Sequence, residues 1–385
     1  MTTLLDHRLP PRSRRRSGVL QVLLGLDFVL LISTLVVAFV GVVMIYSATR
    51  DKLALAGIDP HYFLVRQAVY VVIGIVVMAV MAALDYRWLA PASGILYVGI
   101  VLALLAMFTP LGSTALGATR WFQLGPIQVQ PSAFGALALV VFVAAFCDRR
   151  SEGMKARDVA KLLALSAVPV LLVVKQPDLG SGIVMGVVLA VMLVAAGVPM
   201  RQMLVLVLLG VIVVVGVLHF GLLKHYQLQR LTGFLHQGRS PTGSTYNVVE
   251  SKAAIGSGGM FGAGLFKGAQ TNLSYVPSQQ TDFIFSAVGE QLGFVGAATV
   301  VGLLGLVTWR VLRAAQVARD PFGRLLATGA FTLLAFSVFE NVAMTMGLMP
   351  VAGIPLPFLS YGGSATVVFF AAVGIALSVH LRQQR

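Results

Sequence analysis

Apolar runs of roughly 18 to 25 residues recur along the whole chain, each long enough to cross a hydrocarbon core of about 30 Å as a helix. Polar positions gather in the stretches between them. Ten runs can be marked, over residues 22–47, 64–84, 91–110, 131–147, 159–175, 179–199, 203–223, 282–308, 325–347 and 363–381. In a bilayer each segment must pair its own backbone N–H and C=O groups, so runs of this length predict helices. The expected fold class is an all-α polytopic membrane protein with about ten transmembrane helices and a large extracytoplasmic loop, 224–281, between the seventh and eighth. Residues 1–385 read as one transmembrane domain that includes a basic cytoplasmic tail at 1–21. The first run is too long for a signal-peptide core and reads as a retained helix.

The pattern also breaks in informative places. The fifth run contains Pro169 and ends in Lys175-Gln176-Pro177-Asp178, with Gly180 and Gly182 opening the sixth. Interrupted helices of this sort are tolerated where backbone is buried in protein or lines a cavity. GLMPVAGIPLPFLSYGGSA, residues 347–365, carries Pro350, Pro355, Pro357, Gly362 and Gly363, too many breakers for a span, and predicts a structured outer or re-entrant loop. TRWFQLGPIQVQ, 119–130, with Trp121, Phe122, Leu124 and Ile127, predicts a segment lying at the membrane interface.

Composition excludes a soluble protein: 58% of the 385 residues are hydrophobic and 11% charged, against about 25% charged in soluble domains. An even number of spans puts both termini on one side. That side holds 18 of the 28 Lys and Arg residues, from Arg8 in the tail through the connection 149–161 to Arg385. The other holds 10, half of them in the long 224–281 loop, where charge counts for less. Both termini are therefore expected in the cytoplasm. The net charge of +14 follows from this topology and from anionic headgroups, and calls for no nucleic acid. Cys147 is the single cysteine, so no disulfide forms within the chain.

Candidate chemistry centres on PSQQTDFIFSAVGEQLG, 277–293, where Asp282 stands at the mouth of an apolar run and Glu290 inside it. A carboxylate at the centre of a span costs about 2.5 to 3.5 kcal/mol, so such groups point to function. Asp282 has a simpler reading beside the catalytic one, as the cap of a helix start. Glu290 lies within about 80° of it on a helix and reads as its partner, as does Glu340 in the ninth run. GSGGMFGAGLFKG, 256–268, fits no nucleotide-binding fingerprint and lies on the outer face, where nucleoside triphosphates are scarce. A loop packed on helix ends explains it equally well. Any reaction on that face must use a substrate that carries its own activation. The outer cations Arg120, Lys175, Arg230, Arg239, Lys252 and Lys267 stand against the topological preference and suggest an anionic ligand such as a diphosphate. The histidines show no metal-ligand spacing, and no metal site is expected.

Taken together, IYSA (45–48), Arg66-Gln67, RWFQLGPIQVQPS (120–132), QPDLGSG (176–182), AIGSGG (254–259), TDFIF with Glu290 and its LG, and IPLPFLSYGGS (354–364) resemble the SEDS family of peptidoglycan glycosyltransferases. The GLMPVAGIPLPFLSYGG form is more similar to the elongation branch, RodA, than to the division branch, FtsW. The resemblance implies ten spans in the bacterial cytoplasmic membrane and polymerisation of lipid II at its outer face. It also implies a class B penicillin-binding transpeptidase and other elongation-complex membrane proteins as partners. By the same motifs it makes Asp282 the catalytic residue and places Arg120, Trp121, Gln130, Asp178 and Ser360 in the cavity. Lys175, Arg230, Lys267 and Glu290 join them as expected substrate contacts. The residues identify no cofactor with certainty and leave a divalent cation open, since either basic side chains or such a cation would stabilise a departing diphosphate.

The chain departs from the family pattern at several positions. A glutamate and a lysine usual after the QPS motif are Ala133 and Ala136, Pro-Glu-x-His before TDF is Pro277-Ser278-Gln279-Gln280, a second glutamate after Glu290 is Gln291, and a lysine common in GKG is Ala263. Ala133 and Ala136 together are what loss of an ion pair should leave, since one partner alone would be stranded in low dielectric. Two other readings stay open on sequence alone. A lipid-precursor flippase or transporter also explains many spans and intramembrane carboxylates, and a non-catalytic scaffold that activates a transpeptidase would tolerate loss of Asp282.

Overall fold

A computed structural model describes residues 25–110, 112–115, 118–125, 127–150, 153–219 and 244–383. Asp27 opens the first helix, its carboxylate accepting the Leu30 N–H at 3.0 Å and pairing with Arg310 at 2.6 Å. Helix α1 then runs Phe28–Leu55, α2 Tyr62–Ala83, α3 Leu89–Ala106, α4 Pro131–Asp148, α5 Ala156–Lys175, α6 Leu179–Ala195 and α7 Met200–His219. After the gap come α8 Ser244–Ser257, the single turn α9 Ala269–Asn272, α10 Ile284–Gln316, α11 Pro321–Thr345 and α12 Gly363–Leu381. Each of the ten apolar windows falls on one of the longer helices. Among the described residues 7 helices are long and apolar enough to cross a membrane. The protein is a mostly helical, multi-pass membrane protein.

The core gathers around α12, whose membrane window is 78% buried and which packs against α2, α11 and α10. Outer helices such as α3, 11% buried, and α7, with Leu204, Leu208 and Ile212 exposed, present apolar side chains outward, as expected where lipid is the solvent.

Three features differ from the sequence reading. The 119–130 stretch, read as a segment lying at the membrane interface, has regular structure of its own. It forms most of a three-stranded antiparallel sheet, β1 Gly112–Ala115, β2 Ala118–Leu124 and β3 Ile127–Val129, with Phe122 opposite both Gly112 and Val129. The turn comes at Gly125, φ 62°, a conformation glycine adopts without penalty. The all-α expectation therefore holds for the membrane part alone. Residues 244–281, read as loop, carry α8 and α9. Ser251 on α8 donates to the Thr345 carbonyl at 2.8 Å, which ties α8 to α11.

The third difference is the break in the 282–308 run. Gly293, with φ 67° and ψ −168°, divides α10 into a short buried helix, 284–292, and a long one. A break within an apolar helix leaves backbone groups that lipid cannot satisfy, and the glycine-rich segment supplies the missing partners. Ala263 N–H donates to the Glu290 carbonyl at 2.9 Å and Gly264 N–H to that of Gln291 at 3.1 Å. The Phe294 and Val295 N–H groups donate to the carbonyls of Gly259 and Met260 at 2.9 and 3.1 Å. Close backbone approach is needed, and a side chain on Gly258 would run into the Gly289 carbonyl oxygen. The segment thus acts as a clamp on helix ends. Gly258→Val is expected to lower stability by about 1–3 kcal/mol, measurable as a lowered melting temperature in detergent.

Candidate active site

Asp282 sits in a turn, two residues before the first helical position of α10. The N-cap is Phe283, with no side-chain cap bond, so Asp282 is not the helix cap that its position suggested. The segment is fixed by its main chain instead. Asp282 N–H donates to the Ser278 carbonyl at 3.2 Å, Asn341 Nδ2 donates to the Asp282 carbonyl at 2.8 Å, and Tyr361 N–H donates to the Gln280 carbonyl at 2.8 Å. From below, the buried Gln279 amide donates to Thr271 Oγ1 at 3.2 Å and Ser286 Oγ at 3.0 Å. The Asp282 side chain is half-buried at the end of this scaffold.

Glu290, 1% exposed, faces α9. Its carboxylate accepts the Gln270 N–H at 2.7 Å, the Thr271 N–H at 3.0 Å and the Thr271 hydroxyl at 2.6 Å. Three donors offset the desolvation of a buried anion, and they occupy it with the loop. The structure therefore places the Glu290 carboxylate against α9, and it is not among the residues that line the cavity beside Gln130. Gln291 works similarly from its neighbouring position, its Oε1 accepting from Ser47 Oγ at 2.7 Å and Phe266 N at 2.9 Å. This ties the IYSA motif to the clamp.

A second acidic group, Asp178, is bonded to residues of a cavity of about 80 Å³ lined by Gln130, Ser132, Ser181, Ala133, Ala136 and the Gly353–Pro355 loop, among others. Asp178 caps α6, accepting the Ser181 N–H at 3.3 Å, while its other oxygen accepts from Ser132 Oγ at 2.7 Å, Ser181 Oγ at 2.8 Å and Gln130 Nε2 at 3.0 Å. Gln130 is itself the N-cap of α4, where Pro131 at the first position is pre-set for helix, and its N–H donates to Ser364 Oγ at 2.8 Å. The lining is mixed, with polar Gln130, Ser132, Ser181 and Ser337 beside apolar Val184, Leu333, Val368 and Phe369 and the two alanines, Ala133 and Ala136. The two alanines thus lie on the cavity wall itself.

The remaining sequence candidates separate. The Arg120 guanidinium donates to the Pro177 carbonyl next to Asp178, and half-buried Trp121 follows it on β2. Lys175 is exposed, its ammonium 5.4 Å from the centre of the Phe108 ring, and Lys267 is exposed on the clamp. Ser360 is turned into its own loop, where its Oγ accepts the Leu356 N–H at 2.8 Å, and it does not line the cavity. Arg230, like Arg239, lies outside the described residues. Sequence reasoning missed Ser132, Ser181 and Asn341. An asparagine in an apolar helix beside Glu340 was a legible signal, since buried amides are costly unless used. It also left aside Tyr361, whose hydroxyl burial, helped by Tyr70, pushes up to about 12, so that it remains a donor at neutral pH. Among the described residues no three His, Cys, Asp or Glu side chains converge.

The comparisons agree with one another. A family profile described as "Cell cycle protein", for FtsW, RodA and SpoVE, matches residues 27–385. A "Probable peptidoglycan glycosyltransferase FtsW" of Geobacter metallireducens is 37% identical over 363 residues, covering 93% of this chain and 95% of the relative. The crystal structure of the rod shape determining protein RodA of Thermus thermophilus superposes with a TM-score of 0.68 at 28% identity, covering 94% of this chain and 98% of that one. A structure described as "Structural coordination of polymerization and crosslinking by a peptidoglycan synthase complex" reaches 0.78 at 29% identity, covering 94% and 99%. With its span pattern, its TDF segment and nearly its full length matched, the chain belongs to the SEDS family of FtsW, RodA and SpoVE.

Proposed function

We propose that this protein is a peptidoglycan glycosyltransferase that polymerises lipid II at the outer face of the cytoplasmic membrane, with both termini in the cytoplasm. The observation that carries the reading is the placement of a half-buried carboxylate, Asp282, on a main chain fixed to the Gly353–Pro355 rim of an amphipathic cavity through Asn341. A polyprenyl-diphosphoryl sugar brings its own leaving group and so needs no nucleotide. Asp282 takes the proton from the 4-hydroxyl of the acceptor sugar as that oxygen bonds to the anomeric carbon of the donor. The bond from that carbon to the diphosphate oxygen breaks, and the lipid diphosphate departs. One displacement inverts the configuration, converting an α-linked donor into a β-linked glycan. General-base assistance of this kind contributes roughly 10² to 10⁴ in rate. Outer-face cations such as Arg120 serve the departing diphosphate.

Glycan strands formed by the purified protein from labelled lipid II, separated on a gel, test the reaction. Lipid II that changes leaflet with no polymer formed would favour the flippase reading. Cavity use has its own test. Ala136→Val takes up part of the existing space with two methyl groups, so melting is expected near wild type while polymerisation falls about 10- to 100-fold, the scale of a small misplacement of substrate. Unchanged polymerisation would remove the cavity from the reaction.

The proposed partner is a class B penicillin-binding transpeptidase, supported by the similarity to a synthase complex that couples polymerisation to crosslinking. The proposed cellular role is wall elongation, supported by the GLMPVAGIPLPFLSYGG loop. Cells depleted of the protein are then expected to round up, whereas filaments would assign it to division.

A further inference from the structure

Asn341 is fully buried in α11, between the TDF turn and the cavity rim. Its Nδ2 donates to two main-chain carbonyls at once, that of Asp282 at 2.8 Å and that of Ile354 at 2.8 Å. An amide NH₂ carries two hydrogens, so its donor capacity is filled. The amide oxygen has no hydrogen-bond partner among the described residues. A buried amide with an unserved oxygen is costly, and here the NH₂ is the half in use. Neither acceptor belongs to a regular element: Asp282 precedes the helix, and Ile354 lies in the irregular stretch after α11. The amide joins the two irregular segments directly, beside the bond from the Tyr361 N–H to the Gln280 carbonyl. A serine has one hydrogen to give, an ionised aspartate none, and a lysine or arginine would bring a charge into the core.

We propose that Asn341 is a positioning residue for the transfer reaction, holding the main chain of Asp282 against Ile354 so that the carboxylate keeps its place relative to the cavity. The inference rests on the reading of Asp282 as the general base. Asn341 touches no reacting atom, and its effect passes through the carbonyl of the residue whose side chain does.

Asn341→Ala and Asn341→Asp, in the full-length protein with lipid II as substrate, are to be measured beside Asp282→Asn. For both Asn341 variants, kcat is expected to fall about 10- to 100-fold, with KM for lipid II within about twofold of wild type. The acidic limb of the pH profile of kcat/KM, which reports the free enzyme's base, should move by about half a unit or more. Loss of folded protein alone would scale the profile without moving it. An unmoved profile, with Asp282→Asn inactive, overturns the role of Asn341 and leaves the base in place. Full activity of Asp282→Asn overturns the base assignment instead.

Discussion

Glu290→Leu is expected to cost about 3 kcal/mol or more of stability, read as a lowered melting temperature of the purified protein in detergent. The change leaves the Gln270 N–H, the Thr271 N–H and the Thr271 hydroxyl without their acceptor in a buried site. Each unserved buried donor costs about 1–3 kcal/mol. Leucine also opposes the close contact with Gly268, since an atom built on that glycine would already meet the Glu290 carboxylate at 2.7 Å. Glu290→Gln keeps one acceptor oxygen and should lose less. Melting of the leucine variant at the wild-type temperature would mean that α9 is held by other contacts and that Glu290 is buried for a different reason.

Asp282→Asn is expected to lower kcat by roughly 10² to 10⁴, the usual worth of a positioned general base. KM for lipid II should change little, because a proton acceptor matters in the transition state and hardly before it. Folding should survive: the bonds that fix the segment run through the main chain of Asp282, to Ser278 and from Asn341, and an asparagine retains both. The pairing of lost turnover with wild-type melting distinguishes this substitution from Glu290→Leu, where melting falls first. Asp282→Glu, which keeps the carboxylate and moves it by a methylene, should recover part of the rate.

Much of this architecture could be read from residue pattern. Lipid demands long apolar helices, so span windows follow from composition, and Pro350, Pro355 and Pro357 announce the irregular loop that closes the cavity. The break at Gly293 could not be read. A glycine within an apolar run is tolerated in membrane helices, and only the bonds from Ala263, Gly264, Gly259 and Met260 make a break affordable there. Those partners lie some thirty residues away, and the distance hides them from local reasoning. A different limit applies to Glu290 and Ser360. Both are polar residues within functional-looking motifs, and both prove to be engaged by nearby backbone: Thr271 and Gln270 for the first, Leu356 for the second. The hairpin could have been read, since TRWFQL approaches alternation and Gly125-Pro126 is a turn signal. Aromatic residues at a membrane surface offered a competing explanation. Sequence shows Ala133 and Ala136 only as missing charges, and the structure places both methyl groups on the cavity wall.

The central claim is that Asp282 performs the proton transfer in polymerisation of a lipid-linked sugar. Its most direct test is a side-by-side assay of wild type and Asp282→Ala, each purified with the proposed transpeptidase partner, given labelled lipid II and followed by gel separation of glycan strands. The account predicts a ladder of strands from wild type and none from the variant at equal amounts of folded protein. A ladder of undiminished intensity from Asp282→Ala would contradict it.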